Sequence, residues 1–229
     1  MNAGPPSGAL VNHWTRDEWA RRFLAERDTI PHRGEGYSVL AEVVHAAAAV
    51  HPITRVLDLG TGDGVTLDFV LRLLPGSSGI GLDFNEEMLR FAGARFADRD
   101  DVFVECHDLD APLPDDLGTF DLVVSSFAIH HCVPDRQRAL YGEVLGRLAP
   151  GGLFCNLEHV ASATPARHRE FLDALGIDPA DDDPSNKLVD PVLHLSWLGE
   201  LGFTDADCLW RWRELALLAA HAPGAAAAP

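Results

Sequence analysis

The sequence predicts an α/β protein: a seven-stranded, mostly parallel sheet with helices on both faces and a C-terminal antiparallel hairpin. Three observations predict it. Short, almost uninterrupted apolar runs alternate with segments of helical periodicity, the pattern of parallel strands buried on both faces. The 229 residues, 47% of them hydrophobic, are enough for one domain with a full core. The last two strand-like segments are joined by too short a link for a crossover, so they must run antiparallel.

The elements follow in order. Asn12 to Asp28 reads as a helix, with Trp14, Trp19, Phe23 and Leu24 at helical spacing and Thr15 with Glu18 as a capping box. Gly36 to Val50 reads as a second helix with Tyr37, Leu40, Val43 and Val44 on one face. Strand Arg55–Leu59 is followed by helix Val65–Leu74, strand Gly79–Asp83 by helix Glu86–Ala97, and then come strands Val102–Cys106 and Phe120–Ser126. Helix Asp135–Leu148 is ended by Pro150-Gly151-Gly152, and strand Leu153–His159 follows. Pro165–Leu175 and Val192–Leu201 read as helices flanking an acidic loop, and Phe203–Trp212 with Glu214–His221 as the hairpin. Strand alternation places Trp210 and Trp212 on one face and Arg211 on the other. The division is a helical lid over 1–50, a core domain over 51–222 with a helical, acidic insertion at about 163–201, and a loose Ala/Pro tail at 223–229.

The formal net charge is −17, which repels phosphate and disfavours a nucleic-acid substrate. No run of about 18 apolar residues is available for a membrane span, and Met1 to Gly8 lacks the basic-then-apolar order of a secretory signal. Cys106, Cys132, Cys155 and Cys208 are far apart, so reduced thiols in a cytoplasmic protein are expected and a zinc site is not.

Chemistry concentrates in Val56-Leu57-Asp58-Leu59-Gly60-Thr61-Gly62-Asp63-Gly64, a buried strand running into a glycine turn and a helix. Glycines allow a tight turn and close approach of a ligand to the backbone, although such a turn also serves as a plain strand–helix connection. Asp83 ends the second strand, 25 positions beyond Asp58, where an acid accepts the hydroxyls of a ribose. Val65 stands where a dinucleotide fingerprint needs its third glycine, and no Gly-Lys-Ser/Thr phosphate loop is present. Asp58, just before the turn, repels a pyrophosphate but suits a ligand with a positive amino group, held directly or through water.

These residues resemble the class I S-adenosylmethionine (SAM)-dependent methyltransferases, whose sheet is Rossmann-like. Val56–Gly64 resembles that family's first motif, Asp83 its ribose-binding acid, and His107-Asp108-Leu109 its adenine-contacting segment. Phe120–Ser126 resembles the motif on its fourth strand, and Leu148–Gly152 the turn before its fifth. The resemblance spans roughly Arg55 to His221 and implies SAM as cofactor. It implies that Gly60 and Gly62 pass beneath the methionine part, with Thr61 also among the cofactor-binding residues, and that Asp83 holds the ribose with Phe84 against the adenine. It further implies that Asp108 meets the adenine amino group, Leu109 packs on the ring, and Ser125 lies near the sulfonium. Tyr37 is a candidate for the cofactor's carboxylate end and equally a helix residue packing on the sheet. Arg33 is placed to meet that carboxylate or an acidic substrate.

On the acceptor side, His130-His131 follows the fourth strand and Glu158-His159 ends the fifth, both at the carboxyl edge where open sheets bind ligands. Histidine suits removal of a proton from a hydroxyl, thiol or amine. His131 and His159 are taken as the acceptor-facing pair and Glu158 as their orienting partner, with His130 structural. The lid is expected from the N-terminal helix and from Pro165 to Asp190. The Asp-Asn pair of metal-dependent catechol-type relatives is absent, so no metal is expected. The reading that results is methyl transfer to an O, N or S atom of a small molecule in specialised metabolism. Two alternatives stand beside it: cofactor remodelling of the carboxy-SAM synthase type, and a non-catalytic SAM-binding subunit. A homodimer through the hairpin edge or the N-terminal helix is compatible with the sequence.

Overall fold

The structure is a computed structural model that describes residues 29–224. The helix and lid expected from Asn12 to Asp28, with Trp14, Trp19 and Phe23, lie outside the described residues, as do residues 225–229 of the tail. Seven strands are formed: β1 (Arg55–Leu59), β2 (Ser78–Asp83), β3 (Val102–Cys106), β4 (Phe120–Ser126), β5 (Leu148–His159), β6 (Thr204–Trp212) and β7 (Leu215–His221). Among the described residues six α-helices accompany them: α1 (Arg33–Val50), α2 (Val65–Leu73), α3 (Glu86–Arg95), α4 (Pro134–Arg147), α5 (Pro165–Leu175) and α6 (Pro191–Leu201). None of the helices described is long and apolar enough to cross a membrane.

The sheet order is β3-β2-β1-β4-β5-β7-β6. β1 pairs in parallel with β2 and β4, β2 with β3, and β4 with β5. β7 runs antiparallel to both β5 and β6, so the hairpin is present with β7 inserted and β6 at the edge. Alternation along each strand feeds two cores. Leu57, Leu59, Val123 and Phe154 point to the face covered by Leu140, Tyr141 and Val144 of α4 and Trp197 and Leu198 of α6. Val56, Leu122, Val124 and Cys155 point to the face covered by Leu40 and Val44 of α1 and Leu67, Val70 and Leu71 of α2. Full burial of a side chain such as Leu57 contributes roughly 1.5–3 kcal/mol.

Helix α4 stops at Arg147, three residues before Pro150 rather than at it, and β5 begins at once. Leu148 pairs with Phe120, and the register then shifts through Pro150-Gly151-Gly152 before Leu153 meets Leu122. Proline disfavours helix in the residue before it, and Gly151 takes φ +77° to make the bulge. Pro223, expected in the loose tail, is instead held by its carbonyl accepting from Gly151 N at 3.1 Å. At the other end of the sheet Trp210 and Trp212 both face α1. Trp210 fills the space beside Gly36, where a Cβ would lie 3.0 Å from its ring, and Trp212 stacks on His32 at 4.6 Å. The insertion between β5 and β6 consists of α5, an acidic loop with a short 3-10 turn at Pro179–Asp181, and α6. Thr164 and Asp190 cap its helices by accepting from Arg167 N and Val192 N.

Candidate active site

The turn after β1 is held in a left-handed conformation at Gly60 (φ +68°), Gly62 (φ +55°) and Gly64 (φ +81°). At Gly60 a Cβ would lie 2.1 Å from the Cβ of Ala128, whereas at Gly62 it would meet open space. The turn is anchored to β2 by Thr61 N donating to Leu82 O at 2.8 Å. Asp83 closes the arrangement, its Oδ2 accepting from Gly62 N at 2.8 Å and its Oδ1 from Asn85 N at 2.9 Å. Burial nevertheless holds its pKa above the ordinary carboxylate value.

The turn opens on a first cavity, whose walls include Gly60, Gly62, Asp83, Phe84, Asp108 and Leu109. These residues fit SAM: a glycine floor that a side chain would fill, an acid for ribose hydroxyls, apolar plates for an adenine, and Asp108 for its amino group. Asp58 and Thr61 are not on the wall. Asp58 is fully buried under the turn and accepts from the Thr61 hydroxyl at 2.7 Å, and burial lifts its pKa to about 7, opposed by that bond. Ser125 is not on the wall either. Its hydroxyl donates to Leu59 O at 2.8 Å inside the sheet, and its neighbour Ser126 lines the cavity. The Tyr37 hydroxyl lies 2.6 Å from Thr66 Oγ1 and 3.2 Å from Ser126 Oγ, and accepts from Arg33 Nη2 at 3.2 Å. Arg33 also sits over the Phe127 ring, 5.5 Å from its centre. Arg33 and Tyr37 therefore brace Ser126 and Phe127 from behind.

A second cavity, of about 330 Å³, adjoins the first, and Phe127 and His131 line both. Its wall also carries His130, His159, residues of α5 and the acidic loop. The histidines are paired differently from the sequence expectation. Glu158 is fully buried; its Oε1 lies 2.5 Å from Nδ1 of His130 and accepts from His159 N at 2.9 Å. Its other oxygen accepts from Asn156 Nδ2 at 3.1 Å. Asn156 in turn donates to the Tyr141 hydroxyl, which lies 2.7 Å from Nδ1 of His194 on α6. The partner of His159 is Glu214, with Nε2 and Oε2 2.9 Å apart. His168 of α5 shares that carboxylate at 2.9 Å through Nδ1 and reaches Asp182 at 3.1 Å through Nε2. His131 Nδ1 lies 3.1 Å from Ser185 Oγ.

Electrostatics separates these groups. Burial, reinforced by His130, pushes His131 down to about 3, so its ring is neutral at neutral pH. Burial, with His159 nearby, pushes His130 well below its ordinary value and lifts Glu158 above its own. Burial also acts to raise Glu214, but bonds from His159, Ser162 and His168 outweigh it and keep its pKa low. For His168, burial is outweighed by Glu214 and Asp182, and its pKa is raised. An ionised Glu214 thus faces His159 across the wall of the second cavity. Glu214 and His168 were not legible as site residues, since Glu214 sits in the two-residue turn between β6 and β7 with no local motif. Among the described residues no group of three or more His, Cys, Asp or Glu is arranged to hold a metal ion.

Comparison with known proteins bears on the family and the fold. A family model described as "Methyltransferase domain" matches residues 57–154. A malonyl-acyl-carrier-protein O-methyltransferase of Marinomonas sp. is 31% identical over 134 residues, covering 58% of this chain and 48% of that enzyme. The sterol 24-C-methyltransferase of Schizosaccharomyces pombe is 30% identical over 178 residues, covering 72% and 44%. The chain thus spans about half the length of the curated relatives it matches. Among solved structures, the SAM-dependent methyltransferase SibL superposes with a TM-score of 0.66 at 20% identity, covering 90% of this chain and 59% of that one. A putative methyltransferase solved with the Haloferax volcanii Trm112 activator superposes with a TM-score of 0.62 at 24% identity, covering 93% and 97%. On this Rossmann-like fold, the matched family and relatives identify a class I SAM-dependent methyltransferase domain in the chain.

Proposed function

We propose that the protein methylates an O, N or S atom of a small molecule held in the 330 Å³ cavity, with His159 as proton acceptor. One observation carries this reading: the cavity fitted for SAM and the histidine-lined cavity share Phe127 and His131 as a common wall. Bound in the first cavity, SAM supplies a methyl group activated on a sulfonium. The chain's task is then to hold a nucleophile in line at near-attack distance and to receive its proton. Glu214, ionised and bonded to His159 Nε2, orients that imidazole and stabilises the cation formed when its other nitrogen takes the proton. Phe127 and His131 occupy the passage, and a neutral His131 avoids placing a second positive charge beside the sulfonium. Holding Glu158 and His130 together keeps the loop that carries His131 in place. The cofactor-remodelling alternative needs a cation at the sulfonium to hold a carboxylate. Arg33, its candidate, lines neither cavity and is bonded to Tyr37.

The test is calorimetric titration of SAM into the protein and into Asp83→Asn, which keeps one acceptor for the backbone N–H groups. Micromolar binding by the protein, weakened tenfold or more in the variant, supports the reading. Absence of binding to both SAM and S-adenosylhomocysteine by the folded protein overturns it.

A further inference from the structure

The wall of the second cavity is chemically one-sided. Of its sixteen lining residues four are aspartates, Asp178, Asp181, Asp182 and Asp183, and none is lysine or arginine. The same wall carries an apolar set, Phe127, Phe171, Leu172, Leu175 and Ile177. Among the described residues, Lys187 donates to Ser185 O at 2.6 Å and Arg33 to the Tyr37 hydroxyl at 3.2 Å. His168 bridges Asp182 to Glu214 and offsets part of that pair's charge. Asp178 and Asp181, both exposed, and the half-buried Asp183 are left facing the cavity without a lysine or arginine partner. His130 and His131 add no positive charge, because burial keeps both neutral.

We infer that the acceptor is a basic amine with an apolar, ring-sized body: its ammonium group lies against the aspartates of the 178–183 loop and its body against Phe127, Phe171 and Leu175. The inference rests on the proposed function, since it names the substrate class of the same site. A compact apolar body matches a cavity of this volume lined with aromatic and aliphatic side chains. Among the described residues the cavity wall carries no lysine or arginine to receive a carboxylate or phosphate at the rim, which disfavours nucleotide, acyl-phosphate and free-acid acceptors. The aspartates also raise the local concentration of a cation at the cavity mouth. With the ammonium fixed at the loop, the far end of the acceptor reaches the Phe127–His131 passage, where the proposed chemistry takes place.

The experiment uses size-matched sets that differ only in end charge: tyramine with N-acetyltyramine and 4-hydroxyphenylacetate, and tryptamine with N-acetyltryptamine and indole-3-acetate. Each is titrated into the full chain saturated with S-adenosylhomocysteine, at low and high salt. The expected result is that the amines bind about tenfold more tightly than their N-acetyl forms, with the acids weakest. The preference shrinks at high salt and collapses in Asp178→Asn/Asp181→Asn, where both positions stay polar and neither lies in the proton-transfer machinery. If S-adenosylhomocysteine binds but neither amine outcompetes its neutral and acidic counterparts, the inference is overturned while the methyltransferase reading stands. If S-adenosylhomocysteine itself does not bind, the reading beneath it has failed.

Discussion

Replacing Gly60 with alanine separates the turn's structural task from its ligand-facing one. Gly60 holds φ +68°, and a Cβ there would lie 2.1 Å from the Cβ of Ala128. The left-handed backbone alone costs a non-glycine residue roughly 1–2 kcal/mol, and overpacking a tight contact adds roughly 1–3 kcal/mol. The sum, about 2–5 kcal/mol, corresponds to a fall in Tm of roughly 5–15 °C for a chain of this size. Ala128 cannot retreat alone. It is flanked by Phe127, itself at φ +53°, and by the turn Ile129–His131 that carries the shared wall. A displacement of His131 by about 1 Å is expected to lower kcat by roughly 10²-fold. Gly62→Ala is the control. It bears the same backbone strain at φ +55° but meets nothing within 4 Å, so it should lose only about 1–2 kcal/mol of stability. Its new methyl group enters the ligand space and should weaken SAM binding. Thermal unfolding and calorimetry on both variants make the comparison. Equal Tm losses, or a Gly60→Ala protein as stable as the parent, would show that the Gly60–Ala128 contact does not hold the passage as described.

Two further outcomes are expected. Glu214→Gln should lower kcat by about 10²–10³-fold, leaving S-adenosylhomocysteine affinity within about threefold and restoring part of the rate at higher pH; an unchanged kcat would remove Glu214–His159 from the proton path. Asp58 should make stability fall with pH. Below about 3.9, the value for the unfolded chain, both states hold the proton; between there and about 7 only the folded state does, so stability declines across that window and is flat above it. The loss is on the order of 4 kcal/mol, read as the difference between the protein and Asp58→Asn in urea unfolding from pH 4 to pH 8. A difference that does not change with pH would mean that Asp58 titrates as an exposed carboxyl does.

The strands were legible because their cause is local. Continuous apolar runs such as Leu122–Val124 specify a strand buried on both faces wherever it sits, and β1, β3 and β4 begin and end where the sequence places them. The glycine turn was legible for the same reason, since left-handed φ at Gly60, Gly62 and Gly64 is written into residue type. The assignment of Ser125 rather than Ser126 to the cavity turns on which side chain of β4 faces inward where the strand leaves the sheet, and a repeat of two does not say which end of the alternation meets the ligand.

The pairing of charges was not legible. Glu158 stands beside His159 in sequence, yet alternation and burial turn its side chain into the protein, where His130 meets it. Glu214 lies 55 residues from His159, and no spacing rule connects them. They meet because β7 inserts beside β5 in antiparallel register with Leu215 opposite His159, which brings the preceding residue to the end of β5. The sequence by itself determined the strands, the helices of the sheet and the glycine turn after β1, because these follow from backbone preference and periodicity over a few residues. Only the tertiary structure decided which carboxylate serves which histidine and that two cavities share a wall, because those contacts depend on strand order and on which groups lose water together.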